Sequence, residues 1–371
     1  MTWHGQYLKA LAKDREISLT KLSELLGVSR QTVTDWIKGQ IPKGHHLIQL
    51  SKVLEASPSY FFPEENHIPI SIPLHRKRGV AKITKKTEQE SLQLALHYEK
   101  LFREAPDPGL VRVLRIENRD DQNAVAMANQ LRTLCGIESH KPIDYQHTFH
   151  LLSLLNIIPI FRYFPQGIKS YAFYCKIHKH RVVFVNNHTN VLDLIFPLLH
   201  EAIHATRDEE GNLKNDPEEE DFCDKVANYI QFPDEYVKLI ADTISNRKAS
   251  IQINRLKEFA RDNSHSLFGM YEQLKEINPN IEKTVGRSIG GAATNLKKEF
   301  PNIGEVLFRD GDARDYIETF NLLSPLFIKL MINQLSHATT RKYSEWLGLE
   351  STLDGRQAIE EFKRMRESGN N

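Results

Sequence analysis

From Ser18 to Leu54 apolar residues recur at the three- and four-residue spacing of helices that share a core: Leu19, Leu22, Leu25 and Leu26, then Val33, Trp36 and Ile37, then Leu47, Leu50, Val53 and Leu54. Short helices joined by tight turns up to about Pro63 predict a small all-α unit. The periodicity lapses between Glu64 and Lys86. There HIPISIPLH sets prolines among extended apolar pairs, and Arg76, Lys77, Arg78, Lys82, Lys85 and Lys86 follow with no acid among them. This stretch, 64–88, reads as a basic linker or an edge strand. Thr87, with Glu90 three residues on, predicts a capping box that opens a helix running through Leu101 to a stop at Pro106 and Pro108.

The pattern predicts a second helix over Asn123 to Cys135 and another from near Asp144. It then changes period. Ile157 to Phe161 is apolar and β-branched, and Tyr171 to Lys176 and Arg181 to Val185 flank a polar turn at 177–180, so a small antiparallel sheet is expected. Helical spacing returns from Val191 to Thr206. Asp208 to Asp221 reads as a solvated acidic loop, eight carboxylates against Lys214, and Phe222 to Ile230 is helical up to Pro233. Beyond Tyr236 everything assignable is helical, with breaks expected at Gly290-Gly291, Pro301, Gly304 and Gly311. The fold class is multidomain and mainly α, with a small α+β core. The expected parts are 1–63, a linker at 64–88, a core at 89–235 and a helical C-terminal region at 236–371.

Composition narrows the function classes. The 371 residues carry 49 Lys+Arg against 48 Asp+Glu, so no whole-molecule field singles out nucleic acid, and charged function must be local. With 40% hydrophobic residues the chain has enough apolar content to fold, and its apolar runs fall short of a membrane span. The N-terminus lacks the pattern of a secretory signal, and Cys135, Cys175 and Cys223 are odd in number without a CxxC pair. A cytoplasmic protein with no membrane partner is expected.

Ser18 to Gly39, SLTKLSELLGVSRQTVTDWIKG, carries local chemistry. Ser23 is small enough for two helices to approach, Gly27 suits the turn, Ser29 can cap the next helix, and Val33 and Trp36 anchor it. The exposed face of that helix presents Arg30, Gln31, Thr34, Asp35 and Lys38, groups able to reach base edges and phosphates in a major groove. Residues 1–63 hold eight basic against five acidic residues, a modest net +3. GVSRQTVTDWIKGQIPK with LIQLSKVLEASPSYFF resembles the Cro/C1-type (XRE) helix-turn-helix. The resemblance implies base reading by Arg30, Gln31, Thr34 and Asp35, phosphate contacts from Thr32 and Lys38, and binding to double-stranded DNA as a homodimer.

A second constellation is His200-Glu201-Ala202-Ile203-His204. On a helix the two imidazoles lie one turn apart and can share a metal ion, while Glu201 projects beside them, placed to take a proton from water. A zinc site needs a third ligand, and Glu220, at the start of the next helix, supplies one. Asp224, four residues on, can hold a ligating imidazole from behind. Cys223 is expected to point elsewhere, and His178, His180 and His188 to be polar turn residues. The stretch from Ile157 to Pro233, with VVFVNN, FPLLHEAIHA and EDFCDKVANYIQFP, resembles the ImmA/IrrE metallopeptidases. That resemblance implies a zincin-like core with Zn2+ on His200, His204 and Glu220, and Glu201 as general base. It also implies cleavage of a partner protein, such as a repressor encoded nearby, in a stress, phage or mobile-element response. Two alternatives stay open: a transcription factor whose peptidase-like fold senses or docks without cleaving, and a component of a toxin-antitoxin-like pair.

Overall fold

The computed structural model describes residues 3, 5–15, 17–54, 56, 61, 70, 71, 74, 75, 84–108, 118–138, 140–208, 216–308 and 311–368. The chain divides into two compact units, Met1–Pro69 and Ile70–Asn371. In the first, α1 (Gly5–Asp14), α2 (Leu19–Leu26), α3 (Arg30–Ile37) and α4 (Gly44–Val53) enclose Leu8, Leu22, Leu26, Val33, Trp36, Leu50 and Leu54. Burying each leucine stabilises the unit by about 1.5–3 kcal/mol, which a four-helix unit of this size needs. The ends are set locally. Ser18 and Ser29 accept from the backbone N–H groups of Lys21 and Thr32, and Gly27 closes α2 at φ 64°, a left-handed conformation that a side chain would resist. Trp36 is held from behind by the Trp3 indole, which donates to its carbonyl at 2.7 Å.

The second unit begins with β1 (Leu74–His75), α5 (Lys85–Leu96), α6 (Glu99–Arg103), α7 (Asp121–Leu134) and α8 (Tyr145–Leu154). Three strands follow: β2 (Ile157–Arg162), β3 (Ala172–Ile177) and β4 (His180–Asn186). The sheet order is β1-β3-β4-β2. β3 and β4 form the expected hairpin, turning through His178 at φ 51°, so its loop is tighter than the four-residue turn expected from polarity. The sheet is mixed rather than antiparallel throughout, because β2 pairs parallel to β4 from Ile157↔Arg181 to Arg162↔Asn186. Both strands are buried for nearly their whole length, as a strand covered on both faces requires.

A 3-10 turn at Val191–Asp193 leads into α9 (Ile195–Arg207) and then α10 (Pro217–Gln231). The chain continues through α11 (Asp234–Ile244), α12 (Ala249–Asn263), α13 (Leu267–Ile277) and α14 (Ile281–Lys297), which bury Tyr236, Leu256, Met270, Val285 and Leu296 in a cluster of their own. It then returns to the sheet with α15 (Ile303–Leu307), α16 (Ala313–Leu323), α17 (Pro325–Asn333), α18 (Thr340–Leu347) and α19 (Thr352–Ser368). Phe320, Phe327 and Trp346 join the core that holds Phe161 and Phe184, the Ser324 hydroxyl donates to Pro159 O at 2.8 Å, and Tyr98 donates to Trp346 O at 2.9 Å. The stretches 89–235 and 236–371 thus lie within one compact unit.

Several local expectations are corrected. Thr84 rather than Thr87 caps α5, accepting from Thr87 N, and Glu90 accepts from the distant Gly167 N instead of closing a capping box. The helix therefore starts one turn earlier and takes in Lys85 and Lys86, while linker residues 62–69 and 76–83 lie outside the described residues. Asp216 to Asp221 is the cap and first turns of α10, where carboxylates meet the positive end of the helix, and Asp208 and Glu219 are buried. Gly304 lies inside α15, and Gly290-Gly291 lies inside α14, with nothing within 4 Å of where their side chains would begin. Neighbouring helix override the local preference there. Because the pair gives up helix propensity without a packing reason, Gly290→Ala should raise the stability of the second unit by about 1 kcal/mol, read as a higher Tm in thermal unfolding.

Candidate metal centre and DNA-binding face

Helix α9 is buried along nearly its whole length, which leaves His200, Glu201 and His204 at 0–2% exposure. Such groups need polar partners, since burial without them costs several kcal/mol each. α10 packs alongside and supplies them. His200 Nε2 and His204 Nε2 approach to 3.0 Å, and the Glu220 carboxylate faces both, at 3.4 Å from the first and 3.3 Å from the second. Asp224, one turn further, lies 2.8 Å from His200 Nδ1 and directs the other nitrogen toward Glu220.

These three spacings test the donor set. Zinc bonds of about 2.0–2.1 Å in a tetrahedral shell separate neighbouring ligand atoms by about 3.3 Å. The two nitrogens lie 3.0 Å apart, Glu220 Oε2 lies 3.4 Å from His200 and its Oε1 3.3 Å from His204, all near that separation, and two imidazoles with one carboxylate suit a borderline-soft divalent ion, so the residues fit. Burial disfavours the charged form of His200 but is outweighed by Asp224, Glu220 and Glu201, leaving its pKa at about 9. His204 is shifted downward, by burial first and by His200 beside it. Glu220 is pushed up by burial and more strongly down by its two imidazole partners, to about 2.

Glu201 is fixed from the sheet, where its Oε2 accepts from Tyr174 N of β3 at 3.0 Å. The Tyr174 hydroxyl donates to Asp208 Oδ2 at 2.8 Å, and burial followed by the nearby Asp208 charge raises its pKa well above the ordinary value. That hydroxyl is committed inside the core, while Tyr163 is half exposed beside His188.

Spacing alone missed two residues. Glu219 is buried and ties three elements together: Arg207 at the end of α9 grips both its oxygens, and Arg119 before α7 reaches Oε2 at 3.0 Å. This sets the register of α10 on α9 and hence the approach of Glu220. Cys223, expected to point elsewhere, has its sulfur 3.6 Å from His204 Nδ1. Together with Glu219 it forms a second compact donor group around His204. Burial, then Glu219, raises the Cys223 thiol pKa, and Glu219 is already engaged by two guanidiniums, so the cluster with Glu220 is the better metal site. Of the remaining histidines, His178 does sit in the hairpin turn, against Glu99, whereas His180 is a buried strand residue.

In the first unit Arg30 and Gln31 are exposed on α3 and Lys38 is exposed at its C-cap, while Thr32, Thr34 and Asp35 are half-buried. Gln31 Nε2 donates to Asp35 Oδ1 at 2.8 Å, Thr34 donates back to Arg30 O, and the Ser29 and Thr32 hydroxyls lie 2.8 Å apart. Gln31 and Asp35 are thus presented on this face as one hydrogen-bonded pair. The helix-turn-helix family model matches residues 8–61. This segment is an XRE-type helix-turn-helix. The match covers a minor part of the chain and supports a role in DNA-binding transcription regulation. None of the curated proteins and none of the solved structures matches the chain. Among the described residues no helix is long and apolar enough to cross a membrane.

Two outcomes are expected of this site. Since a metal must displace the proton that His200 holds below about pH 9, Zn2+ affinity measured against a competing chelator should rise about tenfold per unit from pH 6 to pH 8. Glu219→Gln should weaken that affinity about 10–100-fold at constant pH although Glu219 is not a ligand.

Proposed function

We propose that the chain is a DNA-binding transcriptional regulator with a zinc-dependent endopeptidase core that cleaves a partner protein such as a repressor. The observation that carries this is the convergence of His200, His204 and Glu220 from two helices, with Glu201 held beside them by the sheet. The resemblance of the Ile157–Pro233 stretch to the ImmA/IrrE metallopeptidases supports the same reading.

When bound, a divalent ion at this site supplies a Lewis acid that acidifies water and polarises a peptide carbonyl. Glu201 accepts the proton of the attacking water and delivers it to the departing amine. Its hydrogen bond to Tyr174 N keeps one carboxylate oxygen anchored and fixes where the other can act. Asp224 and Cys223 restrain the outer nitrogens of the two imidazoles, so the ligand set keeps its shape. In the first unit, Arg30, Gln31, Thr34 and Asp35 read base edges, with Thr32 and Lys38 toward phosphates, and two copies of the chain bind paired half-sites as a homodimer.

Glu201→Gln should retain zinc at one per chain while hydrolysis of the partner falls about 10²–10⁴-fold. Equal hydrolysis by the variant and the unaltered chain contradicts the peptidase assignment. Arg30→Ala combined with Gln31→Ala should cost about 1–3 kcal/mol of discrimination per lost base contact, measured as the ratio of operator to random-sequence DNA affinity. An unchanged ratio contradicts the assignment of α3.

A further inference from the structure

β3 has two edges, and its residues alternate between them. Asn186 N donates to Tyr171 O, so the odd-numbered residues of β3 turn their backbone groups toward β4 and the even-numbered ones turn outward. Tyr174 faces outward, and its N–H is the one that holds Glu201. The outer edge of β3 therefore runs directly past the carboxylate assigned as general base.

That edge is already taken. Leu74 and His75 pair antiparallel with Tyr174 and Phe173, and Ile70 bridges to Ile177. Ser71 N donates to Lys176 O at 2.8 Å, and Ser71 Oγ accepts from Lys176 N at 2.8 Å. The occupying residues follow directly on the helix-turn-helix unit in sequence, on the N-terminal side of the basic run Arg76 to Lys86. Among the described residues only two are ladder-paired as β1, against six pairs in each of the β3–β4 and β4–β2 ladders, so this strand is the most weakly held of the sheet.

We infer that Ile70, Ser71, Leu74 and His75 form a tethered plug on the peptide-binding edge of β3, an internal strand that an extended substrate must displace before it reaches Glu201. Edge pairing is read through main-chain hydrogen bonds, so any extended chain with suitable side chains competes for the same groups. The plug adjoins the DNA-binding unit in sequence. The consequence for cleavage rests on the peptidase reading, whereas occupancy itself does not.

The test uses the full chain with Ser71→Pro, which removes the donor to Lys176 O and the acceptor from Lys176 N, and with the milder Ser71→Ala, which removes only the acceptor. The readouts are amide hydrogen exchange at Lys176 and fluorescence anisotropy with a labelled hexapeptide of sequence ISIPLH. The expected result is exchange at Lys176 at least tenfold faster in both variants. The probe should bind the proline variant at least tenfold more tightly than the unaltered chain. Unchanged exchange, or faster exchange without probe binding, overturns the plug. If the probe binds as expected while neither the zinc-loaded chain nor its variants cleave any peptide, the peptidase reading fails and the plug stands.

Discussion

Two imidazole nitrogens 3.0 Å apart inside a helix buried on all sides are tolerable only if something of opposite charge faces them, and that requirement organises the second unit. Glu220 answers it, and Glu220 is in place because Glu219, its neighbour, is locked to Arg207 and Arg119. The α9–α10 pair thus behaves as one element with two layers. An arginine-carboxylate clamp fixes the register, and an imidazole-carboxylate cluster uses it. Removing a member of the clamp leaves a charge in a nearly dry environment, and the cost appears at the cluster one residue away.

The sheet contributes differently. β3 carries the main-chain donor that anchors Glu201, and its other edge is fixed by β4, which is in turn held by β2. Behind that sheet the chain has gone out through α11 to α14 and come back, so that Ser324 and the aromatics of α16 to α18 support β2 and α5. The long C-terminal stretch is in this sense part of the scaffold of the cluster, since Phe320 and Phe327 stack within the core that holds the strands. The first unit is built on the same economy at smaller scale, with two serine caps and one left-handed glycine defining the two helices of its DNA-facing motif.

What the amino-acid order revealed was whatever depends on short-range spacing. His200 and His204 at four residues, Glu220 and Asp224 at four residues, Ser29 before Arg30 and Gly27 in the turn all act within one or two helical turns, and each stands where periodicity put it. Partners distant in sequence were illegible: Arg119 reaches Glu219 across 100 residues, Glu90 reaches Gly167, and Ile70 reaches Ile177. The acidic run from Asp208 misled because a high density of carboxylates looks solvated whether or not two arginines arrive to bury one of them. Cys223 misled because neighbouring helix positions, 100° apart, can each reach a different ring of one imidazole pair, Cys223 beside His204 and Asp224 beside His200. The glycine pair in α14 misled for the converse reason, since tertiary packing carried a helix through a local preference of about 1 kcal/mol per residue.

The most direct measurement is anomalous diffraction at the zinc edge from crystals of the zinc-loaded chain. The expected result is a single strong peak about 2.0–2.2 Å from His200 Nε2, His204 Nε2 and a Glu220 oxygen. A peak between His204 Nδ1, Glu219 and Cys223, or no peak on α9 at all, would contradict the proposed centre.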